Sequence, residues 1–581
     1  MHSAKFSSER STGNIRQAVM RLGIRHPVVN DAGFKIWNAY NVHAWPTVAL
    51  IDPRGKIAVQ KSGEIDAQEF IPTIEAVLQE FEREGLLIQT PLEARLEREA
   101  RSEHVLAFPS KVLATGDGRL YVSDSGHHRV LELLLESQES EQDEASPRAE
   151  ILRVFGSGMA GLQDGGGQEA QFNHPRGLAL SGSRLYVADT ENHAIRRIDL
   201  ESGQVRTIAG TGEKGWGKYN PDAPTETALR SPWDLLALEQ ERGADQDLIL
   251  FIAMAGSHQI WLFVNEERLG IFAGNGREAL VDGELSQASF NQPSGLALGW
   301  GHLFVADAEA SAIRAIALGA EAKVFTLVGE GLFEFGDVDG EGTQVRLQHA
   351  TGIAFYEGSL YLADTYNNKI KRLDPMTSRV QTLIGSGEPG NADGDFEQAG
   401  LYEPEGLSAS DGRLYIADTN NHLLRIANLE TGRLATLELN GLQRLNPPNE
   451  GMGGQVTLEQ VTLHPGIVTI TFALDLPNDF KLNQAAPSTL VLDKPGENLR
   501  DYTYTFSEDH YVTLETEIDQ DTQLALDLSV YYCETKDQRL CRIHTKRLKL
   551  PVQLSESAPE STHITYNIEV PLDKGGWGHR R

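Results

Sequence analysis

Two cysteines in 581 residues, Cys533 and Cys541, are the only thiols this chain has for disulfide exchange or soft-metal binding. They close two alternating runs, Tyr531-Tyr532-Cys533 and Cys541-Arg542-Ile543, which predict adjacent antiparallel strands turning near Lys536-Asp537. On such strands the two sulfurs can face each other within disulfide range. Lys536, Arg539, Arg542, His544, Lys546, Arg547 and Lys549 make the surroundings basic. That charge would favour a thiolate and is the one candidate surface for an anionic partner, although a run of like charge more often reads as a solvated hairpin. The other reactive set is carboxylic: Asp124, Asp189, Asp307, Asp364 and Asp418 each end a run that starts with leucine four residues earlier, and Met254 takes the place in a sixth. A residue that recurs once per repeat is more economically structural than catalytic. An aspartate at a strand end accepts backbone N–H groups from the turn that follows. Seven residues on stand Arg196, Arg314, Lys371 and Arg425, expected to pack their stems and solvate their charges, with Leu131 and Trp261 breaking the series.

These aspartates must be positioned by repeated elements. The key position advances in steps of 65, 65, 53, 57 and 54 residues, a basic period near 54. The two long steps contain insertions, the acidic run Glu136 to Glu150 and segments around Gly215 to Pro224 and Glu239 to Asp247, which read as solvated loops. Within a unit, short apolar runs alternate with polar residues, as in Gly177 to Leu180, Leu185 to Ala188, Ile195 to Ile198 and Val205 to Ala209. Four short strands per unit make a propeller blade, and six such sheets bury their faces only by packing radially around an axis.

Composition narrows the function classes. With 52 basic and 83 acidic residues the net charge is −31, which argues against bulk nucleic-acid binding. No apolar stretch has the length of a membrane helix, and the N-terminus lacks the basic-then-apolar pattern of a secretory signal, so a cytoplasmic protein with no membrane partner is expected. Gly156-Ser157-Gly158, Gly210-Thr211-Gly212 and Gly385-Ser386-Gly387 recur at blade ends and read as turns, not phosphate loops. No zinc-site spacing and no Ser-His-Asp elbow is evident, so no metal or cofactor is called.

Asn421-His422-Leu423, Asn192-His193 and Asn367-Asn368, together with Pro175-Arg176-Gly177-Leu178, Pro293-Ser294-Gly295-Leu296 and Pro404-Glu405-Gly406-Leu407, resemble the NHL repeat. The resemblance covers residues 104 to 442 and implies a six-bladed NHL-type β-propeller. Met254 and His349-Ala350-Thr351 depart from the pattern. Some six-bladed relatives hold calcium or zinc in the axial channel. No convergent ligand set carries that property over to this chain, and a channel ion is left open.

The N-terminal 85 residues resemble the second half of a thioredoxin-like α/β domain. A helix is expected over 14–22, a strand over 28–31, a helix over 34–40, strands over 48–52 and 57–60, and a helix over 67–84. Trp45-Pro46-Thr47 resembles that family's motif, which implies a cis Pro46 facing a redox cysteine pair. This chain has no cysteine before residue 533, and a half-domain would expose the sheet edge that missing strands should cover. The expectation is that the reading frame extends upstream of Met1.

From Gln455 onward, alternating runs at Val456 to Leu458, Ile467 to Phe472 and Leu524 to Val530 predict a β-sandwich. Its Tyr-Tyr-Cys hairpin resembles that of the interchange protein DsbD, whose cysteine pair exchanges disulfides. The chain is therefore expected to be mainly β, divided into a partial thioredoxin-like domain (1–85), a linker helix (86–103), the propeller (104–442), a linker (443–454), the sandwich (455–572) and a tail (573–581). The leading functional expectation is a non-catalytic scaffold whose propeller face or channel mouth binds a protein or peptide. The alternative is a thiol-disulfide oxidoreductase in a full-length form, with Pro46 lining the groove and Cys533 and Cys541 as an accessory pair.

Overall fold

The computed structural model describes residues 1–63, 67–87, 103–136, 146–215, 220–242, 245–319, 321–445, 455–477, 479–483, 488–492, 503–507, 509–535 and 541–568. The chain forms two compact units, Met1–Glu99 and Ala100–Arg581.

The first unit has helices at Thr12–Arg21, Lys35–Ala39 and Ala67–Arg83 and one antiparallel strand pair, Thr47–Ile51 with Ile57–Ser62. No strand forms over 28–31; only an isolated bridge joins His2 and Asn30. The reason is Asp31, whose buried carboxylate accepts the N–H groups of Ile36 and Trp37 and so caps the next helix instead of extending a ladder.

The second unit opens with Glu103–His104, and most of the expected linker helix (88–102) lies outside the described residues. Six antiparallel blades follow: 109–155, 175–209, 232–273, 293–328, 352–384 and 407–436, here numbered one to six. The first strand of each blade lies innermost; the fourth is outermost in blades two and three, whereas in the others a strand of two or three residues pairs outside it. Residues of the middle strands are fully buried and pack between blades, Leu185, Val187 and Ile198 on one face and Ile195 on the other. Glu438–Asn440 then returns to the start and pairs in parallel with Arg148–Phe155 of blade one, closing the ring.

One insertion is built differently from the loop expected. Glu239 to Arg242 and Asp245 to Leu248 continue the first two strands of blade three, pairing Glu239 with Leu248 and Arg242 with Asp245. An insertion that keeps the ladder satisfies its own backbone groups, as a free loop would not. Residues 137–145 and 216–219 of the other insertions lie outside the described residues.

The C-terminal part is a sandwich. An eight-stranded sheet built on Thr522–Glu534 and Cys541–Leu554 faces a three-stranded sheet of Tyr511–Ile518, Gly466–Asp475 and Ser561–Asn567. Val468, Ile470 and Phe472 from one sheet meet Leu526, Leu528, Leu548 and Leu550 from the other. The linker and tail fall largely, at 446–454 and 569–581, outside the described residues.

Candidate functional site: the axial channel and the repeated aspartates

The innermost strands begin with a repeated triplet: Pro109-Ser110-Lys111, Pro175-Arg176-Gly177, Pro232-Trp233-Asp234, Pro293-Ser294-Gly295, Ala350-Thr351-Gly352 and Pro404-Glu405-Gly406. The glycines let neighbouring inner strands touch. A Cβ at Gly352 would sit 1.8 Å from the Glu405 carbonyl oxygen, and one at Gly406 would sit 2.4 Å from that of Ser110. Blades one and three carry Lys111 and Asp234 where the others carry glycine, and these two side chains pair across the axis at 2.8 Å. Arg176 of blade two reaches Glu405 of blade six at 2.8 Å and lies 4.0 Å over the ring of Trp233. All four charged groups are buried, and their charges cancel. Asp234 also accepts the N–H of Leu296 on the Oδ2 that holds Lys111. Calcium takes six or more oxygen ligands. Here both channel carboxylates already hold a cation, so this donor set does not suit a divalent metal. Among the described residues no group of three or more His, Cys, Asp or Glu side chains is placed to hold an ion.

The strand-end aspartates sit farther from the axis and are fully buried. Asp189 accepts the backbone N–H of Asn173, the Asn192 amide and the Arg196 guanidinium at 2.7–2.8 Å. Asp418 repeats the set with Tyr402, Asn421 and Arg425. Asp307 holds Asn291 and Arg314, and Asp364 holds Gln348, Asn367 and, at 3.5 Å, Lys371. The backbone donor thus lies sixteen residues upstream rather than in the turn that follows. The cations are likewise not solvated: Arg196, Arg314, Lys371 and Arg425 have no exposed side-chain surface. Arg196 also donates to Asp164 and to the carbonyls of Gln163 and Gln171, and this dense pairing makes its burial tolerable. In blade one, Leu131 stands in the seventh place and Arg129, two residues earlier, takes over at 2.7 Å from Asp124. In blade three both partners are apolar, Met254 and Trp261, and both are buried in one cluster. Burial pushes Asp189, Asp307 and Asp364 up to about 6 against the pull of their partners. Burial pushes Asp124 up too, but the charges of His127 and Arg129 outweigh it and hold the carboxyl at about 2.

Each strand-end aspartate, and Met254 in blade three, opens a short turn whose last residue is left-handed: His128, His193, His258, Ser311, Asn368 and His422. Each of these six side chains accepts the backbone N–H of a second left-handed residue in the next blade. The acceptor and donor pairs are His128 with His174, His193 with Ser231, His258 with Gln292, Ser311 with His349, Asn368 with Glu403, and His422 with Phe108, at 2.9–3.3 Å. The last pair joins blade six to blade one. Sequence reading missed both this ring of staples and the channel pairs. Their signals were present: an acceptor side chain four residues after each aspartate and after Met254, and charge where a glycine recurs.

Cys533 is disulfide-bonded, and the second cysteine of the chain, Cys541, is its cross-strand register partner. Lys536 and Arg539 lie outside the described residues. Arg542 is buried against Phe480, and burial together with Lys546 lowers His544 to about 4, so this part of the hairpin is not a solvated basic face. Tyr531 and Ile543, two residues beyond the cysteines, enter the same cluster as Val105, Leu131 and Leu424 of the propeller. In the first unit the Trp45–Pro46 peptide is cis, the Trp45 indole N–H donates to the Ser3 carbonyl, and the Thr47 hydroxyl bonds to that of Ser62.

The NHL repeat model matches residues 172–198 and 401–426, in blades two and six. NHL repeat-containing protein 2 of Gallus gallus is 34% identical over 96% of this chain and 82% of its own length, and the Homo sapiens protein is 32% identical over the same shares. Protein SUPPRESSOR OF QUENCHING 1, chloroplastic, of Arabidopsis thaliana is 36% identical over 99% of this chain, which spans 56% of that relative's length. The repeat match, the six-bladed ring and these near full-length similarities agree: the chain belongs to the family of NHL repeat-containing protein 2.

Proposed function

We propose that this protein is an interaction scaffold, a rigid propeller that presents a surface to a protein or peptide partner. The supporting observation is that its chemistry-bearing groups are consumed internally. The channel cations and carboxylates neutralise one another, and the five strand-end aspartates are buried, each with a backbone N–H donor and a cationic side chain against it. A cytoplasmic address belongs to this proposal and is checked by fractionation. A second reading, thiol-disulfide exchange by a longer form, draws on the Trp45-Pro46-Thr47 motif ahead of a strand pair and on the disulfide at Cys533. In that reading Pro46 would line a groove whose nucleophile this chain lacks.

The two readings part in an insulin-reduction assay on the purified chain with dithiothreitol as reductant. The scaffold reading expects the same rate as for the Cys533→Ser, Cys541→Ser double variant. A rate well above that variant would establish exchange chemistry in this chain.

A further inference from the structure

Blade three departs from its neighbours in more than its apolar Met254 and Trp261. In blades two, four, five and six an aspartate from the preceding loop latches the outer strand by accepting both the N–H and the hydroxyl of a threonine. The pairs are Asp164 with Thr207, Asp282 with Thr326, Asp339 with Thr382 and Asp393 with Thr436. By register Ile271 holds that threonine's place, opposite Trp261 as Thr207 is opposite Arg196. The matching loop residue is Asn220: the next carbonyl, of Pro221, meets the N–H of Leu269, and the Asn220 side chain turns to Asp222. Ile271 therefore presents its N–H outward with no acceptor among the described residues, and the residue is 43% exposed on an edge strand. Beside this edge lies a cleft of about 810 Å³ lined by Ile271, Phe272 and Leu285 and by the exposed carboxylates of Glu284 and Glu321, of which Glu284 also meets Lys323.

We propose that the strand edge at Ile271, beyond the stretch where Pro221 already meets Leu269, and this cleft form a docking site for an extended cationic peptide segment of a partner protein. The segment adds as a strand, completes the main-chain bonds at Ile271, and seats an apolar side chain against Phe272 and Leu285. Its lysines or arginines lie near Glu284 and Glu321, and the net charge of −31 favours approach of a basic segment over an acidic one. This rests on the scaffold reading and names its class of partner; the peptide test and the insulin assay fail independently.

The probe is a fluorescein-labelled heptapeptide of alternating lysine and valine, measured by fluorescence polarisation on the whole chain. Asn220→Asp with Ile271→Thr installs the latch of blades two, four, five and six and closes the edge without deleting anything from the core. The expected result is binding that weakens about tenfold or more both in this variant and when alternate peptide nitrogens are methylated, the loss of one or two main-chain bonds. Binding unchanged by the latch variant or by methylation is attraction by charge alone and overturns the proposal. No binding overturns it as well. A concentration-dependent dimer that the latch variant abolishes would give the edge to a second copy and overturn the peptide assignment.

Discussion

Asp124 and Asp189 occupy the same place in successive blades yet are stabilised by different partners, and the difference has a measurable consequence. Asp124 is held at about 2, below the 3.8 of a free aspartate, so its charged form stabilises the fold. That stability, about 2 kcal/mol from the shift, is complete above pH 3.8 and is lost as pH falls toward 2. Urea melts from pH 2 to 5 should show the loss in the native chain and less of it in Asp124→Asn. Arg196→Ala leaves Asp189 buried without its cation and should cost about 3–5 kcal/mol. Asp189→Met with Arg196→Trp copies blade three and should cost less than that single change, as equilibrium denaturation of both would show. The aspartates were legible in the sequence because they repeat at a fixed place in each unit. The burial of their cations was not, because the carbonyls that receive Arg196 come from Gln171 and Gln163, in a loop 25 and 33 residues upstream that no local charge pattern reveals.

Between elements, the six left-handed staples explain why histidine, serine and asparagine interchange at one position. What is conserved from blade to blade is an acceptor of the right reach. His422→Asn should therefore keep the seam between blades six and one, whereas His422→Leu should lose about 1 kcal/mol by thermal melting. The four histidines accept through Nδ1 and must be unprotonated there. Burial lowers His193, so its staple stabilises the ring fully above about pH 6.5 and is lost as pH falls through the lowered value. Gly210 takes φ 98° with the position of a Cβ only 2.4 Å from the His193 carbonyl oxygen. Gly210→Ala should cost more than 1 kcal/mol in denaturant titration and loosen the seam between blades two and three. Strand runs in every blade could be read from alternation. The extended hairpin of blade three could not, because its added residues, Glu239 to Asp247, are polar and look like a loop until both edges are seen to pair.

At the scale of the whole second unit, closure depends on segments far apart in sequence. Glu438–Asn440 seals blade one, Glu103–His104 pairs with Cys541–Leu554, and Tyr531 and Ile543 plug the cluster beneath the first and last blades. The disulfide at Cys533 therefore anchors the hairpin that covers the seam. Removing it with Cys533→Ser, Cys541→Ser should cost about 2–3 kcal/mol, and limited proteolysis should then cut the C-terminal sheets before the propeller. The propeller and sandwich were legible from the period and the alternation. Their shared core was not, since nothing local in Tyr531 or Ile543 says what lies beneath them. The central claim is that the channel charges close the ring and neutralise each other instead of awaiting a ligand. A denaturation cycle on Lys111→Met, Asp234→Leu and the double variant tests it most directly. The account predicts losses of about 3 kcal/mol or more for each single change and a double variant within about 1 kcal/mol of the native chain. Single changes that cost little and add up in the double variant would contradict it.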